Sequence, residues 1–303
     1  MKTYCCIIIF LLLLFFLPAA AKENGKFEIS IQHPPDKREL AIYTKKVIIR
    51  TLPKYKEIFN FYDADVDFVL VDKADDYKKY VGYNMPSWTN GVTIFPGGKV
   101  VLKTPDLTKT SLREFSSTIR HELFHSMHGH NVPLSLTPAW FNEGLAVYFT
   151  ETLGIRSRVI LSRAIANDKL IPITELSGFL HFKQSAANLA YAESCSIIEF
   201  IVQVYGRDAL KEIFDNLRAK MTFPESVSKV LKINYEDLPF FWERFVGAKY
   251  RWLFLLDIQN YLWLIMPVLA LLAYLGVQLR NRKIEKGWEN AGVNDSEDKL
   301  VED

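Results

Sequence analysis

The chain has 303 residues, with 37 Lys and Arg against 35 Asp and Glu and a formal net charge of +2. That length holds one large domain or two modest ones, and the near balance of charge, with no basic stripe, gives no footing for nucleic-acid binding. The hydrophobic share of 49% is high for a soluble domain, and its excess sits at the two ends.

The N-terminus reads MKTYCCIIIFLLLLFFLPAAAKENG. Lys2, an apolar run from Tyr4 to Leu17, then Pro18 and Ala19 to Ala21 have the form of an export signal. The pattern predicts a signal peptide over residues 1–21, with cleavage after Ala21. Its removal leaves Cys195 as the last cysteine, so the fold is expected to rest on its core rather than on a disulfide.

Residues 22–110 mix helix and strand signals and are expected to form the N-terminal α/β part. Lys45 to Phe61 has helical spacing, and VDFVLVD (Val66–Asp72) reads as a buried strand. GVTIFPGGKVVLKTP reads as a hairpin turning at Gly97 and Gly98. From Ser111 the pattern turns helical and stays so, which sets 111–250 as the second, helical part. Ser111 is a candidate N-cap, with Glu114 at the capping-box position.

YLWLIMPVLALLAYLGVQL, Tyr261–Leu279, is a stretch of nineteen residues without charge, about 28 Å as a helix. It predicts one C-terminal transmembrane helix over 260–279. Arg280, Arg282, Lys283 and Lys286 follow and predict a cytoplasmic tail over 280–303. The expected placement is a single-pass cell-membrane protein with residues 22–250 extracytoplasmic. The absence of an N-x-S/T sequon between Lys22 and Asn260 leans towards a bacterial envelope.

The chemistry gathers in RHELFHSMHGHNV, residues 120–132, which holds four of the six histidines. His121 and His125 are four residues apart, so on a helix their rings lie about 40° apart on one face and can reach one metal ion. Glu122 between them is placed to take a proton from a water held there. A third ligand is available in PAWFNEGLAVYF, where Glu143 follows His125 on a second helix that Pro138 would start.

HELFH followed by WFNEGLA resembles the gluzincin metallopeptidases, specifically the peptidase MA-like family. The resemblance implies Zn2+ held by His121, His125 and Glu143, with Glu122 as general base on a zinc-bound water. It implies an α+β, zincin-like fold, a small mixed sheet beside a helical half. It also implies an edge strand above the catalytic helix that pairs with extended substrate, assigned to the Lys99–Lys103 stretch with Val100, Val101 and Leu102 as substrate-binding positions. A later helix, NLAYAESCSIIEFIVQVYG, resembles the one that follows the zinc helices in that family, and Tyr191 on it is the candidate donor to the developing oxyanion. One turn after Glu143, where thermolysin-like enzymes carry a carboxylate, this chain has Val147, so no partner for His121 is evident.

The metzincin pattern H-E-x-x-H-x-x-G-x-x-H fails, because His128 and Asn131 stand where glycine and histidine are required. His128 is expected to be a packed histidine, and His130 to lie at a helix end terminated by Gly129. The expected function is a membrane-anchored zinc metallopeptidase that hydrolyses extracytoplasmic proteins or peptides. The competing expectation is a membrane-tethered binding or assembly module with a structural or inactive zinc site. Glu122 argues against it, since a purely structural site has no use for a base.

Overall fold

A computed structural model describes residues 27–82, 89–150, 154–256 and 258–298. The expected signal peptide, 1–21, lies outside them. In chain order the elements are β1 (Ile29–Gln32), α1 (Arg38–Phe59), β2 (Val66–Val71), α2 (Ala74–Val81), β3 (Gly91–Ile94), β4 (Lys99–Lys103) and α3 (Pro105–Thr108). The helices α4 (Leu112–Asn131), α5 (Ala139–Thr150), α6 (Ile155–Ala166), α7 (Gln184–Tyr205), α8 (Asp208–Arg218), α9 (Phe223–Leu231), α10 (Leu238–Tyr250) and α11 (Ile258–Asp298) follow.

The expected α+β architecture is corrected by this inventory. The protein is mostly helical with one small mixed sheet, whose strands hold 4, 6, 4 and 5 residues. The reason lies in the length of the 3.6-residue periodicity after Ser111, which builds seven of the eleven α-helices among the described residues before Arg251 is passed.

The sheet runs in the order β1-β2-β4-β3. β1, β2 and β4 are parallel, and β3 closes the hairpin against β4. A parallel strand covered on both faces reads as a continuous apolar run, which VDFVLV does. Alternate residues part to the two sides of the pleat. Phe68, Leu70, Val100 and Leu102 enter the main core, while Val69, Val71 and Val101 meet Tyr77 of α2 on the other face. The main core is sealed by α1, which buries Ala41, Thr44, Ile48, Leu52, Tyr55 and Phe59 along one stripe. Each large side chain taken fully out of water there contributes about 1.5–3 kcal/mol.

The helical part is built around α7, most of whose residues from Ala187 to Ile201 are buried. α5 lies against it so closely that a Cβ on Gly144 would stand 2.5 Å from the carbonyl oxygen of Ser194. α10 is tied to the same helix by polar groups: Trp242 Nε1 donates to Ser196 Oγ at 2.9 Å, and the Tyr250 hydroxyl donates to the Glu199 carboxylate.

The expected helix stop at Gly129 does not occur. α4 continues to Asn131, and Gly129 instead leaves room for the ring of Phe95, which a Cβ there would overlap.

Among the described residues, no helix is long and apolar enough to cross a membrane. The expected span at 260–279 falls within α11, where the side chains of Asn260 to Leu264 lie outside the described residues. Arg280, Asn281, Arg282 and Lys283 continue the same helix. The expected membrane span, membrane partner and single-pass cell-membrane placement are corrected accordingly.

Candidate metal centre

α4 starts where its cap demands. Ser111 Oγ accepts from the Glu114 backbone at 3.2 Å, and the Glu114 carboxylate accepts from the Ser111 backbone at 2.8 Å, the reciprocal pair expected from the sequence. Phe115, Ile119, Leu123 and Met127 pin one face of α4 into the core. That anchoring turns His121 and His125 together towards α5.

Their rings stand 4.7 Å apart, and the two Nε2 atoms are 3.0 Å from each other. From α5, Glu143 Oε2 comes within 3.4 Å of His121 Nε2 and 3.5 Å of His125 Nε2. These last two separations sit at the outer edge of hydrogen bonding, and Glu143 Oε2 is buried with no hydrogen-bond partner. Three lone-pair atoms therefore converge, one of them orphaned. A tetrahedral ion bound at about 2.0–2.1 Å holds its donors about 3.3 Å apart, so the residues present fit a metal ion.

Electrostatics point the same way. Burial pulls the His125 pKa down, but the Glu143 carboxylate outweighs it and the value rises to about 9. Burial pushes Glu143 up, yet the charges and contacts of His125 and His121 hold it well below the usual carboxylate range. Opposed shifts of this kind reflect a carboxylate set against the imidazoles, where a bound cation would take the place of the proton.

Glu122, 6% exposed, is held against the sheet while lining the same cleft as His121. Thr93 Oγ1 of β3 donates to Glu122 Oε2 at 2.8 Å and lies 3.1 Å from its backbone oxygen. Gly91 of the same strand passes directly over the side chain, where a Cβ would stand 2.9 Å from Glu122 Cγ. His121, Glu122 and Tyr191 line one cleft of about 520 Å³, with Arg156, Gln184 and Asn188 on its walls. Burial, and then the charges of Glu143 and Glu122, push the Tyr191 phenol above its ordinary pKa, which keeps it protonated. A larger hollow of about 770 Å³ at the ends of β1 and β2 is lined by Asp36, Asp72 and Asp76. Among the described residues it holds no cluster that could ligate a metal.

Val100, Val101 and Leu102 stand elsewhere than the expected edge. β4 is paired with β2 on one side and β3 on the other, and all three side chains are fully buried. Among the described residues the sheet ends in β1 on one side and β3 on the other, and the edge beside Glu122 of α4 is β3, Gly91–Ile94.

Asn142, Thr137 and Thr93, all close to the centre, were not read from the sequence. Asn142, beside Glu143, has Oδ1 3.1 Å from His125 Nδ1 and 2.6 Å from His128 Nδ1. His128 is fully buried, its pKa lowered to about 4 by burial, and its Nε2 lies 3.2 Å from Thr137 Oγ1. His130 Nδ1 turns back to the Ser126 carbonyl at 2.8 Å. Asn142 had a local signal, a polar side chain one position before the candidate ligand. Thr93 had none, since only the hairpin brings it to α4.

No curated protein matches the chain. Residues 61–248 match the family model of the Peptidase MA superfamily. That match runs from just before β2 into α10 and takes in every residue of the centre: the chain belongs to the peptidase MA superfamily, a kinship that points to a peptidase.

Proposed function

We propose that the protein is a zinc-dependent peptidase acting on proteins or peptides. His121, His125 and Glu143 hold the ion, Glu122 is the general base and Tyr191 donates to the oxyanion. The observation that carries this reading is the buried, unpartnered Oε2 of Glu143 facing two imidazole Nε2 atoms beside a cleft that also contains Glu122. Zinc held there supplies Lewis acidity to the scissile carbonyl and to the attacking water.

The chain's own groups do the rest. Thr93 fixes one oxygen of Glu122, leaving the other to take a proton from the attacking water and return it to the leaving amine. Tyr191, held protonated, donates to the charge that develops on the carbonyl oxygen. The edge of β3, terminal in the sheet among the described residues, receives an extended peptide by strand addition. In this reading 22–110 supplies the edge strand and 111–250 supplies the ligands.

The test uses the full chain. About one zinc per chain is expected by metal analysis, retained in Glu122→Gln and lost in His125→Ala and Glu143→Ala. Glu122→Gln should lower kcat on a protein substrate by at least ~10²-fold. A Glu122→Gln protein as active as the parent would remove the base; a parent that binds no zinc and cleaves nothing would end the reading.

A further inference from the structure

The Asn142 side chain has one carbonyl oxygen with two lone pairs, and two ring nitrogens meet it: His125 Nδ1 at 3.1 Å and His128 Nδ1 at 2.6 Å. If His125 offers the Nε2 lone pair to a metal, its Nδ1 carries the proton and donates to Asn142. At 2.6 Å His128 Nδ1 must then donate as well, because two lone pairs facing at that distance repel. His128 is neutral in its buried site, so its Nε2 is bare and accepts from Thr137 Oγ1 at 3.2 Å. A continuous chain results, from Thr137 through His128 and Asn142 to His125.

Its geometry spans the joint between the two ligand-bearing helices. His128 is on α4, Asn142 is in the first turn of α5, and Thr137 is in the connection between them. Turning the Asn142 amide over would present N–H groups to both rings, leave His125 Nδ1 bare, and put a proton on the Nε2 that should ligate. With His128 in place, that turn also requires His128 to change tautomer and the Thr137 hydroxyl to reverse. We infer that His128 is a positioning residue, which pins the Asn142 amide and through it the ring and tautomer of His125. The inference rests on the reading of His125 as a metal ligand.

A purely packing role is the alternative, because His128 stacks against Phe61 and meets Phe124 and Phe214 edge-on or tilted. Two substitutions separate the two. His128→Phe keeps an aromatic ring among these neighbours but has no donor for Asn142. His128→Asn keeps a donor at the place of Nδ1 but gives up the ring. The readout is zinc affinity of the metal-stripped full chain, titrated against a chromophoric chelator, with circular dichroism to confirm folding.

His128→Phe should bind zinc about 10–100-fold more weakly, the usual cost of removing a group that orients a ligand. His128→Asn should stay within a few-fold of the parent while melting at a lower temperature. Thr137→Val, a milder cut at the far end, should weaken binding several-fold. Parent-like affinity in His128→Phe, or in Thr137→Val should His128→Phe fail to fold, would overturn the inference. In that event the parent still binds zinc, so the ligand assignment stands; a parent that binds none defeats the ligand assignment itself.

Discussion

Gly144→Ala tests whether the closeness of α5 and α7 sets the centre. The added Cβ would lie 2.5 Å from the Ser194 carbonyl oxygen, 2.8 Å from its carbonyl carbon and 3.0 Å from Ile198 Cγ1. The shortest of these is about 0.9 Å inside the 3.4 Å at which ordinary contact begins. Two of the three obstacles are backbone of a buried helix, so no rotamer change relieves them. The helices must part, which costs about 3 kcal/mol at the upper end for overpacking, and alanine returns ~1 kcal/mol of helix propensity. The net loss of ~2 kcal/mol should lower Tm by roughly 4–8 °C for a domain of this size. Glu143 precedes the substituted position, and a ligand tolerates only about 0.2 Å of misplacement, so zinc affinity should fall at least ~10-fold. Gly247→Ala on α10 is the control: nothing lies within 4 Å of its Cβ, and the same change should stabilise by about 0.5–1 kcal/mol. Thermal melts of the metal-free proteins, followed by zinc titration, provide both numbers. A Gly144→Ala protein that melts with the parent would refute the packing argument.

Thr93→Val removes the hydroxyl that holds Glu122 and should lower kcat several-fold with zinc content unchanged; kinetics paired with metal analysis decide. Tyr191→Phe should lower kcat by about 10²–10³-fold and leave zinc content at the parent level; equal kcat would remove the tyrosine from the oxyanion role. Glu193 is fully buried, and burial raises its pKa to about 8 although it accepts from the Ile171 backbone. Its folded value lies above its unfolded one, so its contribution is full below about pH 4.5 and is lost as pH rises through about 8. Glu193→Gln should therefore gain stability relative to the parent as pH rises from 5 to 8.5; a constant difference in urea midpoint across that range would contradict the shift.

The parts legible in the sequence were those written in short stretches. Ser111 with Glu114, His121 with His125, and the Gly97-Gly98 turn each depend on residues within a few positions, and the spacing carried the geometry. Glu143 was reachable because its own helix follows closely. What stayed hidden depends on pairing between distant segments. Nothing in KVVLK distinguishes an interior strand from an edge, and β4 became interior only when β2 took its second side. Thr93 meets Glu122 because the hairpin lies across α4. Gly129 looked like a stop by residue type, yet its missing side chain serves Phe95 instead. The run from Tyr261 to Leu279 was judged by its length and its lack of charge, and the basic residues from Arg280 were read as a boundary where the structure continues one helix to Asp298.

The three converging donors lie close together along the chain, whereas the groups around them do not. From His121 to Glu143 the chain makes one loop of about 22 residues between adjacent helices, while reaching Tyr191 requires one about three times longer. By the logarithmic scaling of loop closure the longer loop costs about 1 kcal/mol more entropy, and it closes only once α7 is in place. Pairing Thr93 with Glu122 further requires the sheet to dock. On the proposed reading, all three metal donors emerge 48 residues before Tyr191 (191 − 143), so a growing chain would capture a metal before it could receive an oxyanion. For a peptidase this order has a use: hydrolytic competence arrives last, when the chain's own unfolded segments are no longer exposed as substrate.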